Sequence, residues 1–312
     1  MMPEHPALTP AKPVYAGSTE LPALPPEDWK SLAHAKFLLE TPDLTARIAH
    51  LIGAPIESTF QRMPAGWRNV VHKTTQSSLM AALKLAVKSM GDPAWKPSSN
   101  RFHKILSGTS GAIGGAFGFA AVAIELPIST TLILRSIADI ARSEQHDLTD
   151  IQTRLACMEV FALGGNTTSD DAAENGYWIV RATLARSVSD AVIHFTRKGI
   201  LEETAPVMVR LISAIASKFG IVISEQIAAK AIPLLGATTG SAINLLFMNH
   251  FQKMARGHFI LRRLESVHGT PVVRRVYESI ALPLNNPQPY HVSGPHDTAA
   301  STEGLIPPAS PL

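Results

Sequence analysis

The chain has 312 residues, 46% hydrophobic and only 17% charged, against roughly 25% charged in average globular proteins. Its single cysteine excludes a disulfide framework, a Cys-rich zinc site and an iron–sulfur cluster. The 28 Lys and Arg against 25 Asp and Glu leave a net charge of +3, too small and scattered an excess for a nucleic-acid partner.

Proline divides the chain. Residues 1–27 hold seven prolines and residues 283–312 hold seven more, with few large apolar side chains between them. Tails over 1–27 and 281–312 are therefore expected to be disordered or polyproline-like, leaving 28–280 as one helical domain. The opening MMPEHPALTP has neither a basic run nor an apolar one, so no secretory signal is expected.

Within 28–280 the periods are helical. Leu32, Phe37 and Leu38 begin a short helix after Pro26-Glu27-Asp28, and Thr41 and Asp43 punctuate a second that runs to Gly53. Residues 67–90 stop at Gly91-Asp92-Pro93, a natural terminator. Further helices are predicted over 127–145, 150–163 (closed by Gly164-Gly165), about 169–198, 203–218, 221–235 and about 240–266. The predicted fold class is all-α, a multi-helix bundle with glycine-rich packed hairpins.

Residues 105–124 (ILSGTSGAIGGAFGFAAVAI) carry no charge and are long enough to span a bilayer, yet are rich in Gly, Ser and Thr. Gly111, Gly114, Gly115 and Gly118 form overlapping small-xxx-small pairs that admit a close neighbouring helix. A second uncharged run, 231–249, repeats the spacing with Gly236 and Gly240. Tight packing of the two segments in a core and a membrane-touching hairpin both fit. Nucleotide binding does not, because no Lys follows the glycines and no GxGxxG follows a strand.

After Glu125-Leu-Pro127, read as the end of one helix and the start of the next, Ile133, Ile137 and Ile140 share a face. Arg135, Asp139, Arg142 and His146 fall on the opposite one, so Asp139 can bridge two guanidinium groups. This ladder reads either as a solvated face or as an anion or headgroup contact through Arg135 and Arg142. Glu144 projects onto the isoleucine stripe.

The runs GAIGGAFGFAAVAIELPISTTLILRSIADIARSEQHDLTD, RLACMEVFALGG, GYWIVRATLARSVSDA and ISEQIAAKAIPLLGATTGSAINLLFMNHFQKMARGHFILRRLE closely resemble the EcsC family over roughly 60–270. The resemblance implies a bacterial protein, since the name-giving member is encoded beside an ABC exporter in Gram-positive bacteria. It brings no established activity. Some members are labelled staphylolytic peptidases of the LasA type, which hold zinc with an HxH pair; this chain has no HxH.

His250 and His258 share the apolar stripe of the last predicted helix with Phe247, Phe251, Met254, Leu261 and Glu265. Either they are core histidines, or they gather further ligands from Glu125, Glu144, Asp147 and Glu159. Neither HExxH nor a repeated ExxH is present. Cys157 reads as a small core hydrophobe, Glu159 as a candidate partner for Arg135 or Arg142, and Tyr177 with Arg181 as a helix-packing pair.

The function expected is that of a membrane-associated accessory or interaction protein without catalysis, peripheral to the cytoplasmic face of a membrane. Its expected partner is a membrane lipid or a membrane protein complex, and no cofactor is expected. The alternative is a metal-dependent hydrolase built on Glu125, Asp139, Glu144, His250 or His258 with a divalent metal.

Overall fold

Every residue from Leu155 to Ala162 is buried, a run with no outward face. A helix buried all round must lie at the centre of a bundle. The computed structural model describes residues 24–40, 44, 47–48, 50, 66–89, 118–165, 176–198, 205–230 and 237–280. Among them are eight helices and no strand: α1 (Pro26–Glu40), α2 (Trp67–Ser89), α3 (Gly118–Ser143), α4 (Ile151–Leu163), α5 (Gly176–Lys198), α6 (Pro206–Lys230), α7 (Ala237–His268) and α8 (Thr270–Ser279). The chain is an all-α bundle.

Helix α4 is the hub, touching α2, α3, α5, α6 and α7. Its start is set by Asp150, whose carboxylate accepts from the backbone N–H groups of Gln152 (3.1 Å) and Thr153 (3.2 Å). Around it Phe161, Phe219, Phe247 and Phe251 stack edge-on or tilted, Phe161 lying 4.9 Å from Phe219 and Phe219 5.5 Å from Phe251. Burial of each ring contributes about 1.5–3 kcal/mol. A second apolar cluster joins Leu32, Trp178, Leu261, Leu264, Val273 and Tyr277, contributed by α1, α5, α7 and α8.

Two predicted boundaries shift. Pro127 lies inside α3 rather than between helices: its carbonyl accepts the Thr131 hydroxyl at 2.8 Å, and the helix runs through it. A proline deletes one backbone donor and can bend a helix without ending it. The two helices predicted over 203–218 and 221–235 are one, α6, because Gly220 lowers helix propensity without stopping an element packed on both sides of it. Helix α8 was not anticipated.

The end of α3 corrects one further expectation. Gln145 adopts φ 67°, while its N–H donates to Arg142 O (2.9 Å) and that of His146 to Ala141 O (3.0 Å). This is a Schellman turn with Gln where glycine is usual. Glu144, whose N–H still donates to Ile140 O at 3.0 Å, caps the helix, whereas His146 lies beyond it and not on the helix face shared by Arg135, Asp139 and Arg142; both side chains meet α7.

Gly111, Gly114, Gly115 and Gly236 lie outside the described residues, and Gly118 and Gly240 are described only as helical backbone. A close glycine approach does occur, at Gly257 of α7. A Cβ there would stand 2.6 Å from Leu39 Cγ and 3.0 Å from Ala35 O of α1.

Candidate functional site: a buried polar seam

Between the two apolar clusters runs a line of polar side chains from α4, α5 and α7. Glu159, in the middle of the buried run of α4, and His258, with no exposed surface, are both at least nine-tenths buried. The Tyr177 hydroxyl is 3.1 Å from His258 Nδ1, and Arg181 NH1 donates to the same hydroxyl at 3.2 Å. Arginine can only donate, so the tyrosine proton is free to point at Nδ1. That leaves Nε2 of a neutral imidazole as the N–H, facing Glu159 Oε2 at 3.6 Å. The contact is too long for a hydrogen bond, and neither atom has another hydrogen-bond partner. Arg262 NH1 approaches the same oxygen at 3.8 Å, and Arg181 closes the other end on Glu265 at 2.8 Å.

Electrostatics follow from burial. Desolvation pushes the His258 imidazole down to about 4, outweighing the pull of Glu159. Burial by itself would raise Glu159, but His258, Arg262 and Arg181 together hold its carboxyl below the ordinary range. Desolvation also raises the Tyr177 phenol far above its usual value. Near neutral pH the seam thus holds the Glu159 and Glu265 carboxylates, a neutral imidazole, a phenol and the guanidinium groups of Arg181 and Arg262. Removing water from such a set is compensated only when each charge meets its partner.

A second polar contact sits where α3 ends. Glu144, 12% exposed at its side chain, takes Arg256 at 3.0 Å and Arg263 at 3.8 Å, both from α7. The ring of His146 donates through Nε2 to Phe259 O at 2.9 Å, and burial lowers its pKa.

The remaining predicted residues separate. Ile133, Ile137 and Ile140 form the buried stripe expected of them. Asp139 pairs with Arg142 at 3.3 Å, each about one-third exposed, and burial raises the Asp139 carboxyl despite Arg142 and Arg135. Glu125 is part-buried in α3. His250 is not beside His258: its Nε2 lies 2.9 Å from the carbonyl of Gly164, closing the C-terminal end of α4. Glu159 answers His258 and Arg262 rather than Arg135 or Arg142. Asp147 is spent on Thr149. Among the described residues no three His, Cys, Asp or Glu side chains gather as metal ligands. Cys157 is fully buried, and desolvation raises its thiol well beyond the physiological range.

Sequence reasoning paired Tyr177 with Arg181 but missed their link to His258 and Glu265. It also missed Lys36. This buried ammonium donates to the carbonyls of Tyr277 (3.0 Å) and Ile280 (2.8 Å) and lies 3.7 Å from Glu40. It ties the C-terminal end of α8 to α1, adding a donor to Tyr277 O, which also takes the Ile280 N–H at 3.3 Å, and supplying one to Ile280 O. A lysine four residues after the buried Leu32, between the buried Ala35 and Leu38, was the available signal, but its partners are 241 and 244 residues away.

Such a bundle, with its buried charges answered across helices, defines a class of all-helical protein rather than a reaction. The chain belongs to the EcsC protein family, which it matches over residues 27–264. No curated protein and no solved structure gives a significant match.

Proposed function

We propose that this EcsC-family chain is an accessory or interaction protein held against the cytoplasmic face of a membrane, acting through contacts rather than catalysis. The observation that carries this reading is α6. Its stretch Pro206–Ala228 is 23 residues long and contains an 18-residue window of mean hydropathy 1.8, long and apolar enough to cross a bilayer, though 44% of that window is buried in the bundle.

The uncovered strip supports a surface contact. At 100° per residue Val209, Ser213, Ser217, Gly220, Ile221 and Ser224 share one side of α6, with Val209 and Ile221 exposed. The serines suit apolar surroundings because Ser217 donates to Ala214 O (2.8 Å) and Ser224 to Gly220 O (2.7 Å) within the helix itself. From Ser213 to Ser224 this strip of small residues suits hydrocarbon or a neighbouring helix, and Arg210, exposed on the same side near the start of α6, bounds it with a cation whose stem can reach outward to water or headgroups. The seam, meanwhile, spends its acid and base groups on holding α4, α5 and α7 together.

Fractionation of cells with high-salt and carbonate washes tests the reading. Retention in the membrane fraction, reduced severalfold by the double substitution Val209→Gln and Ile221→Gln, is expected. A wholly soluble pool before any wash would overturn it.

A further inference from the structure

Helices α1 and α7 pack antiparallel. Asp28 meets His268 at 2.7 Å, Ala35 and Leu39 flank Gly257, and further along the charge of Arg47 acts on Lys253. Charge changes sign along this seam. Its first end carries Glu27 and Asp28, and its middle holds the buried Lys36–Glu40 pair. Its far end presents Arg47 and Lys253, with Arg256 one turn nearer the middle, while Arg263 lies back toward His268. One carboxylate, Glu144, serves both Arg256 and Arg263. Lys253 faces another cation: burial, then Arg47, lowers its pKa, and no carboxylate pairs with it among the described residues.

The same edge has an apolar side. Residues 237–252 contain no Asp, Glu, Lys or Arg. At 100° per residue Leu245, Asn249, Lys253 and Arg256 fall within about 80° of one another. Leu245 is 45% exposed, and Lys253 lies about 12 Å further along the axis. An exposed apolar side chain followed along one edge by a group of long cations is the pattern of a surface resting at a lipid interface, stems down and charges at the phosphates.

We propose that this edge of α7, with Arg47 beside it, docks an anionic phospholipid surface: Leu245 enters the headgroup–acyl boundary while Arg47, Lys253 and Arg256 meet lipid phosphates. The inference rests on the membrane reading above and names the lipid chemistry. Arg256 keeps Glu144 on NH1 and retains further donors of its fork for a phosphate.

The full chain is tested by co-sedimentation with vesicles of phosphatidylcholine alone and of phosphatidylcholine mixed with phosphatidylglycerol. Binding is expected to the mixed vesicles and to weaken as salt is raised. Arg47→Gln and Lys253→Gln should each lower partitioning about fivefold and together about twenty-fivefold. Leu245→Gln should lower it at every salt concentration. All three sites are wholly or partly solvent-facing, so an unchanged thermal melt confirms that the variants fold. Equal binding to both vesicle types, unaffected by Arg47→Gln and Lys253→Gln, overturns the headgroup site and leaves the membrane reading standing. So does failure to bind either vesicle by a chain that remains in the cellular membrane fraction. Failure to bind vesicles combined with a soluble cellular pool overturns both.

Discussion

The Tyr177 hydroxyl and His258 Nδ1 meet at 3.1 Å across 81 residues of chain, in a region where neither residue is more than slightly exposed. Tyr177→Phe keeps the ring against Trp178 and Tyr277 but leaves Nδ1 without its donor. We expect a loss of roughly 1–3 kcal/mol in urea unfolding, the cost of a stranded buried acceptor. A neutral result would mean that the hydroxyl does not donate to His258.

Glu159→Ala removes the carboxylate that faces His258 and Arg262 and leaves a gap in α4. The expected loss is about 3–5 kcal/mol, with Glu159→Gln less damaging because it fills the space and removes only the charge. Equal losses for the two variants would show that charge, not volume, dominates the position.

Acid should weaken the protein through the same seam. The His258 pKa is lower in the fold, at about 4, than the 6.5 of the unfolded chain. Below pH 6.5 the unfolded state therefore takes up a proton that the fold refuses, and stability falls until the folded pKa is passed near 4. Glu159, held low in the fold, adds a loss in the same direction below its unfolded value of 4.5. A decline on the order of 3 kcal/mol between pH 7 and pH 4 is expected from His258. His258→Gln should flatten that part of the profile, as read by urea midpoints at each pH.

Two glycines of the long helices should respond oppositely to alanine. At Gly257 the added methyl meets Leu39 Cγ at 2.6 Å and Ala35 O at 3.0 Å, so α1 must move, at a cost of about 1–3 kcal/mol. At Gly220 nothing lies within 4 Å, and Gly220→Ala should stabilise by roughly 0.5–1 kcal/mol through helix propensity alone. Thermal melts of both variants settle the pair.

Lys36→Met keeps the stem and deletes the donor to Tyr277 O and Ile280 O. Hydrogen exchange over residues 270–280 should then accelerate well beyond that of α4, since the C-terminal end of α8 loses the side chain that ties it to α1. Uniform acceleration across the bundle would instead show that Lys36 supports the whole fold.

What could be read before the structure was whatever depends on neighbours in sequence. The isoleucine stripe of α3, the Asp139–Arg142 pair and the ends of α2 and α4 follow from spacing and caps. Glu159 was visible as one charge inside the apolar run LACMEVFAL, but its partners were not. Helical period gives the direction of a side chain about its own axis and says nothing of which helix stands opposite. His250 and His258 show the consequence: eight residues apart on one stripe, one closes the end of α4 while the other turns to Glu159. The Schellman turn was hidden because Gln145 occupies the place where a glycine would have announced it. Helix α8 was missed because Gly269 reads as the end of the preceding helix, although Pro271 just after it is a proline in a first turn, which is a start.

The chain's one sulfhydryl lies in α4, the helix least accessible to solvent. A thiol reagent can therefore reach it only after the centre of the bundle has opened, so alkylation of Cys157 clocks global unfolding in the unmodified protein. No label has to be engineered in, and every variant above carries its own reporter.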